Sequence, residues 1–487
     1  MIRFLILFYL FVSCENRSNV SEDYSILAKV GNRTITKRDF LNRAEYTIRP
    51  IFCKGNLYYH KKIILNNLIA EKLLALESEK IRASKNIASL DSYLKGRKEQ
   101  AMRQLLYFKH AFSKVELTDD EIQHYYKMAG RTYEVNYFSF PGGAFSDSVA
   151  SAIDRGSEID QIYKYAFKGS IPEREVNWID SNDETIDNLL FSGDDVSVNQ
   201  VFGPIKLNDG SSFVMKIKGW KDNVDITKKS IEDRIESVSR TLKERKALRL
   251  YSEFVGDVMK GKSLLLDDKV FPKYAESLAK RYFTSEKERE SAVSKALFED
   301  SEILQIDKLE PLSEDFKKLP LFSINQENWT IKEFEESILS HPLVFRKRKM
   351  SSQEFPSQLK LAIIDFVQDY YLTQKAYEMK LDEDDSVILN EQLWSDSFYA
   401  FQYAALKISE FESSDNVHEK LKPLIDELQI KHSSLIKIDM DMFEEISISN
   451  VDMFATQSNV PYPVIVPSFP AFTDDSYIDY GSKISRQ

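Results

Sequence analysis

Cysteine is nearly absent from this chain: Cys14 and Cys53 are the only two in 487 residues. Two thiols cannot build a disulfide framework or a multi-cysteine zinc site. Glycine (15) and proline (14) each make up about 3% of the residues, against roughly 7% and 5% in average usage. That scarcity argues against collagen-like, low-complexity and turn-rich all-β designs and favours long helices. Histidine is scarce too, with six in all: His60, His110, His124, His341, His418 and His432. None of them, and neither cysteine, falls in residues 133–220. Positive charge is outweighed, 66 Lys and Arg against 77 Asp and Glu, for a formal charge of −11. This excludes nucleic acid as the main partner, because phosphate binding needs a basic surface. No apolar run reaches the ~20 residues that span a bilayer. No GxxxxGK[ST], HExxH or CxxC sequence occurs, so neither a cofactor nor a metal site is expected.

What is present is ordinary globular material. Apolar residues are 43% and charged residues 29%, and the length implies about two to four domains. The N-terminus is different. Met1–Ser13 (MIRFLILFYLFVS) carries one charge, Arg3, ahead of the apolar run Phe4–Val12. That pattern fits a secretory signal over residues 1–13. Cys14 follows Ser13, and residues 14–25 are polar enough to serve as a short tether. FVSC resembles the lipobox of bacterial lipoproteins, with Phe11 where leucine is usual. The resemblance implies that Cys14 is diacylated and anchors the chain. An ordinary signal peptide beside an incidental cysteine is the plainer reading.

Leu27–Ile35 signals strand, turn and strand with Gly31-Asn32 at the turn. Thr36 and Asp39 then form a capping box for a helix. His60–Ala83 is apolar on more than one face, so it is expected between other helices. Thr118 caps a further short helix with acids in its first turn. At Thr132 the period changes to two, and Tyr133–Phe140 reads as a strand. Ser146–Phe167 reads as helix, Arg174–Ile179 and Gln200–Ile205 as strands, and Asn208-Asp209-Gly210 as a hairpin turn before Phe213–Ile217. Ile226–Lys260 is a long amphipathic helix.

An internal repeat follows. Asn328–Phe334 (NWTIKEF) echoes Thr34–Phe40 (TITKRDF), and Thr330 with Glu333 forms a second capping box. Leu361–Met379 matches the buried spacing of Leu65–Ile81. Leu264–Leu278 resembles Leu435–Ile448, so each copy is expected to close on its own such segment. Coincidence between amphipathic helices is the plain alternative to a repeat. The resulting organisation is multidomain and mainly α, with a small α+β insert and a helical module present twice. Its expected parts are a helical module over 26–131 and an α+β domain over 132–222. A long helix and connecting region over 223–320 closes the first module. A second helical module covers 321–450, and a Pro-rich tail covers 451–487. Val460–Phe472 holds four prolines and cannot be a helix interior; it is expected as an extended strap or a disordered end.

The order of these elements resembles the parvulin-type foldases of the bacterial envelope, the SurA, PrsA and PpiD group. The resemblance rests on AKVGNRTITKRDF, NNLIAEKLLALESEK, ELTDDEIQHYYKMAGRTYEVNYFSF and VFGPIKLNDGSSFVMKIKGW. It covers roughly residues 26–260, with a fainter echo over 321–448. It implies a helical part that cradles unfolded chains and a parvulin domain that isomerises X-Pro bonds. Active members resemble one another in two central histidines. In this chain the first-strand position falls in Tyr137–Ser139 and the last-strand position at Ser212 or Phe213. No histidine or cysteine is available, so no catalytic residue is carried over.

Phe138, Phe140, Phe202, Phe213 and Met215 fit an apolar peptide-binding pocket, and fit equally the ordinary core of a small sheet. Asp194-Asp195 offers a polar partner or a solvated loop. Arg346–Lys349 is a basic run, read as a solvated face or a contact for anionic headgroups. Three functions stay open. The first is a lipid-anchored chaperone on the periplasmic side of the envelope that binds unfolded secreted or outer-membrane proteins. The second is an atypical peptidyl-prolyl isomerase. The third is an accessory lipoprotein docking one fixed partner.

Overall fold

The computed structural model describes residues 25–82, 88–178, 184–191, 196–207, 211–224, 227–292, 312–347, 350–409, 417–448, 461–462 and 465–484. Cys14, Asp194-Asp195, Arg348-Lys349 and the turn at 208–210 lie outside them. The hairpin β1 (Ile26–Val30) and β2 (Arg33–Thr36) leads into α1 (Lys37–Glu45), α2 (Tyr58–Arg82) and α3 (Ala88–His110). Next come α4 (Asp119–Ala129), β3 (Arg131–Pro141), α5 (Ala144–Asp154), α6 (Ile159–Phe167), β4 (Glu173–Asn177), α7 (Glu184–Leu190), β5 (Val201–Lys206) and β6 (Ser211–Asp222). The long α8 (Lys228–Met259) precedes β7 (Leu264–Leu266), α9 (Val270–Ala292) and α10 (Glu314–Lys317). A second hairpin, β8 (Pro320–Ile324) and β9 (Glu327–Thr330), opens α11 (Ile331–Ser340), α12 (Phe355–Glu378) and α13 (Asp385–Ser409). The chain ends with α14 (Val417–Lys431), β10 (Ile436–Asp439), α15 (Met440–Glu445) and β11 (Ser482–Ile484).

The protein is multidomain and mainly helical, with small sheets. Two compact units divide it. One is drawn from Met1–Leu106, Val255–Gln457 and Tyr462–Gln487, the other from Tyr107–Phe254 and Ser458–Pro461.

In the larger unit the two hairpins are built alike. Thr36 Oγ1 accepts from the Asp39 amide at 3.0 Å, and Asp39 returns the bond to the Thr36 amide at 2.9 Å. Thr330 and Glu333 do the same at 3.2 and 2.8 Å. Each box satisfies two otherwise unpartnered donors at a helix start. Phe40 and Phe334, one residue further on, are fully buried. The registers also match: Ile26 pairs with Thr36 and Pro320 with Thr330, each followed by a bulge before Ala28 and Phe322.

The closing strands are crossed. β7 pairs with β8, placing Leu264 opposite Ile324 and Leu266 opposite Phe322. β10 pairs with β1, placing Ile436 opposite Val30 and Ile438 opposite Ala28. The segment after Leu264 therefore closes the second hairpin, and the segment after Leu435 closes the first. Residues 223–320 do not close the first module in the way the repeat pattern predicts. Repeated patterns cannot choose between these pairings, because in both closers three residues, Leu264-Leu265-Leu266 and Ile436-Lys437-Ile438, lead into a capping aspartate. Asp267 accepts from the amides of Lys269 and Val270, and Asp439 from that of Met442. Loop-closure entropy does not choose either, since it grows only with the logarithm of loop length. The two schemes differ by only a few tenths of a kcal/mol.

The core of the first hairpin decides the matter, because it is completed from the far end of the chain. α2 is buried along most of its length and packs against α13 and α14. Its polar residues need partners. Asn67 Oδ1 accepts from the amides of Phe472 (2.8 Å) and Thr473 (2.9 Å), and its amide group donates to the Thr473 carbonyl at 2.7 Å. Asn66 donates to the Asp475 carbonyl and accepts from Gln429 at 2.8 Å. Residues 465–480 of the tail thus form an extended strap, with Val460, Pro463 and Val464 outside the described residues, and Phe469, Phe472 and Ile478 are buried in the same core. Their burial contributes roughly 5–9 kcal/mol before the ordering cost.

Charge is buried in this core as well. Arg43 donates to both oxygens of Glu71, at 3.3 and 2.8 Å, and to the Ser468 carbonyl at 2.6 Å. Lys72 lies 2.9 Å from Asp396, which also meets Arg33. Burial pushes the Lys72 ammonium below its ordinary value, although Glu71 and Asp39 oppose this. A pair with both side chains fully buried is costly to break from one side only. Glu71→Ala is expected to lose about 3–5 kcal/mol in urea unfolding. Arg43→Met combined with Glu71→Leu should recover most of it, because no orphan charge remains.

Candidate functional site

Two places in the molecule bring candidate residues together. The first is the four-stranded sheet of the smaller unit, ordered β4-β3-β6-β5 and antiparallel throughout. The alternation of β3 sends residues to two cores. Tyr137 lies opposite Met215 and Ser139 opposite Phe213 on one face. Phe138 lies opposite Val214 and Phe140 opposite Ser212 on the other. Directly opposed residues share a face, so the last-strand position follows from the first: Phe138 goes with Ser212, and Tyr137 or Ser139 with Phe213. Phe213 shares a face with Tyr137 and Ser139, whereas Ser212 faces Ser146 of α5 at 3.1 Å.

This register also separates the five apolar residues singled out from the sequence. Phe213 and Met215 are buried, and half-buried Phe202 packs beside them, under Trp178, Phe191, Val238 and Leu242. Phe138 and Phe140 are buried on the opposite face with Val149 and Ile159. The five do not line one pocket: a sheet lies between the two groups. The Phe138 side does form a continuous aromatic set. Phe138 contacts Tyr163 at 5.3 Å and Phe167 at 5.8 Å, and Phe140 contacts Phe145 at 5.4 Å. Phe145 and Phe167 are exposed at its rim.

The second place was not visible in the sequence. A cleft of about 680 Å³ lies in the larger unit between α3, the β9–α11 corner and α12. The close approach of its walls depends on Gly96, where a β-carbon would overlap the Ser340 carbonyl. One wall is aromatic. Trp329 meets Tyr370 edge-on at 5.1 Å and Phe366 at 6.2 Å. The other carries Lys95 and Glu99 of α3, with Tyr377 donating to Glu99 at 3.2 Å.

The floor is a polar knot. Arg103 donates to Thr373 Oγ1 at 2.7 Å and lies 3.1 Å from His341 Nδ1. His341 Nε2 is 3.3 Å from Asp369, and Tyr462 donates to the other oxygen of Asp369 at 2.9 Å. Arginine only donates, so Nδ1 must accept and Nε2 carries the proton toward Asp369. Both imidazole nitrogens are engaged and the Thr373 hydroxyl is tied to Arg103. The knot therefore presents no free base or nucleophile and positions the walls instead. Burial pushes the Asp369 carboxyl up, but the hydrogen bonds from His341 and Tyr462 and the Arg103 charge outweigh it. The carboxyl is left below its ordinary value of 3.8. Among the described residues no group of three or more His, Cys, Asp or Glu could hold a metal ion.

The basic run resolves only in part. Arg346 grips Asp365 with two bonds, at 2.9 and 2.6 Å, and Lys347 pairs with Glu354.

No protein-family model matches the chain, and no curated protein matches it. Among solved structures it is similar to the crystal structure of the peptidylprolyl isomerase PrsA from Bacillus cereus. The identity is 13%, over 47% of this chain and 92% of that one, with a TM-score of 0.20. At that level the two share too little to transfer a fold or an activity.

A carboxylate held below its ordinary pKa stabilises the fold above that value, and the contribution is lost as pH falls through the folded pKa. Asp369→Asn is thus expected to be less stable than the parent at pH 7. The gap should narrow below about pH 4, as followed by thermal unfolding across a pH series. A gap that stays constant with pH would mean the knot does not depend on the carboxylate charge.

Proposed function

We propose that this protein is a chaperone of the bacterial envelope that binds extended or unfolded polypeptide without isomerising proline bonds. It is held at the membrane by lipid on Cys14, facing the periplasmic side. Its clients would be secreted or outer-membrane proteins in transit. The observation that carries the reading is the register of β3 on β6. At the two positions where the resembling foldases keep histidines, this chain has Tyr137, Phe138 or Ser139 on β3 and Ser212 or Phe213 on β6, with Ser139 directly opposite Phe213, and no imidazole is within that sheet's sequence.

Twisting an X-Pro bond through its barrier of ~18–20 kcal/mol needs polar groups matched to the twisted amide. A face of Phe213, Met215 and Phe202 sealed by Trp178 and Phe191 offers packing instead. The cleft supplies what holding requires. Its aromatic wall contacts apolar side chains of any order, and its charged wall suits a solvated backbone. The anchor draws its support from the apolar leader and the FVSC string alone. No helix among the described residues is long and apolar enough to cross a membrane.

Two assays test this. The full chain in detergent is expected to suppress aggregation of a chemically unfolded client at near-equimolar ratio. In a protease-coupled proline-peptide assay its rate should equal the uncatalysed one at every protein concentration. Unchanged aggregation contradicts the chaperone, and a rate that rises with protein concentration contradicts the loss of isomerase activity.

A further inference from the structure

The two related sheets differ in one respect. The first is β11-β10-β1-β2, whereas the second stops at β7-β8-β9. β10 and β7 are the corresponding closing strands. The outer edge of β10 is covered by the chain's own β11, running parallel, with Lys437, Ile438 and Asp439 opposite Ser482, Lys483 and Ile484. The equivalent outer edge of β7 carries no strand among the described residues.

The hydrogen bonds show which groups that leaves outward. The Asn325 amide donates to the Ser263 carbonyl at 3.0 Å, and the Asp267 amide to the Leu321 carbonyl at 3.0 Å. Bonds to β8 therefore fall on Ser263, Leu265 and Asp267, in the alternation of an antiparallel pair. The amides and carbonyls of Leu264 and Leu266 point the other way. In β10 the same alternation turns Ile436 and Ile438 outward, and there the Ile436 carbonyl accepts from Ser482 Oγ at 3.3 Å. The side chain of Leu265 is 68% exposed. An apolar edge strand with unmet backbone groups is a ready template for another strand.

We infer that the outer edge of β7 is a binding site for an extended segment of another polypeptide, added as a fourth strand along Leu264–Asp267. The copy of the motif that is already filled shows the mode: parallel, short and read through the backbone. Backbone pairing gives affinity without fixing sequence, and side-chain preference enters only through alternate residues. The β11 of a second copy is not the occupant, because it is committed to its own β10. That the guest is an unfolded client rests on the chaperone reading above.

Residue-resolved hydrogen exchange on the intact chain tests the site, with a short alternating valine–threonine peptide as the guest. With peptide at ten times its dissociation constant, exchange at the Leu264 and Leu266 amides should slow about tenfold. The Leu265 amide, already bonded to β8, should change little. The same peptide N-methylated at alternate residues should protect neither. Unchanged exchange at Leu264 and Leu266 overturns the inference, whether the peptide binds elsewhere or not at all. So does protection that appears without peptide and grows with protein concentration, which would give the edge to a second copy. Aggregation suppression without edge protection leaves the chaperone reading standing and removes this site. Edge protection without aggregation suppression does the reverse.

Discussion

The larger unit depends on one constraint: α2 is buried almost throughout, yet carries Asn66, Asn67, Glu71 and Lys72 on buried surface. A buried amide or charge without a partner costs several kcal/mol. Those partners come from Arg43 nearby, from Asp396 on α13, and from residues 429–480 at the other end of the chain. The helix thus cannot be satisfied until the C-terminal strap is in place. The stretch between α3 and α13, including the α+β unit and the second hairpin module, is an excursion from a core completed by α13, α14 and the strap.

That closure explains the crossed strands. Two hairpins and two closers of the same pattern could pair in two ways, and chain entropy barely separates them. Once the strap and β10 are drawn to α2, β10 lies against β1, and β7 is left for β8. The exchange has a further consequence. The strand that follows the strap covers the outer edge of β10, while among the described residues no strand covers the edge of β7. Among those residues the same motif appears once with a fourth strand and once without it.

Much of the local structure was legible in the sequence. The capping boxes at Thr36 and Thr330, the echo between the hairpins and the change of period at Thr132 are short-range signals, and each marks an element that forms. The likeness of Leu264–Leu278 to Leu435–Ile448 was equally legible, but not which partner each takes. That choice is made by Asn67 and Arg43 reaching across hundreds of residues, and sequence spacing carries no trace of it. The same limit applies to the candidate sites. Phe138 and Phe213 both read as apolar positions on neighbouring strands. Only the pairing of Tyr137 with Met215 shows that a sheet separates them. The cleft joins α3 to α11 and α12 through Gly96 and Arg103. A glycine within a helical pattern, packed this closely, was the one local signal that could have pointed to it.

The crossed closure is most directly tested by cross-linking. Lys29 lies opposite Lys437, a pairing whose α-carbons stand about 5.5 Å apart in an antiparallel ladder, within disulfide reach. With Cys14 replaced by serine, Lys29→Cys with Lys437→Cys should oxidise to an intramolecular disulfide in the native state, identified by peptide mapping. Lys29→Cys with Leu265→Cys should not. A disulfide in the second pair and none in the first would mean that each module closes on its own segment, which contradicts the crossed closure.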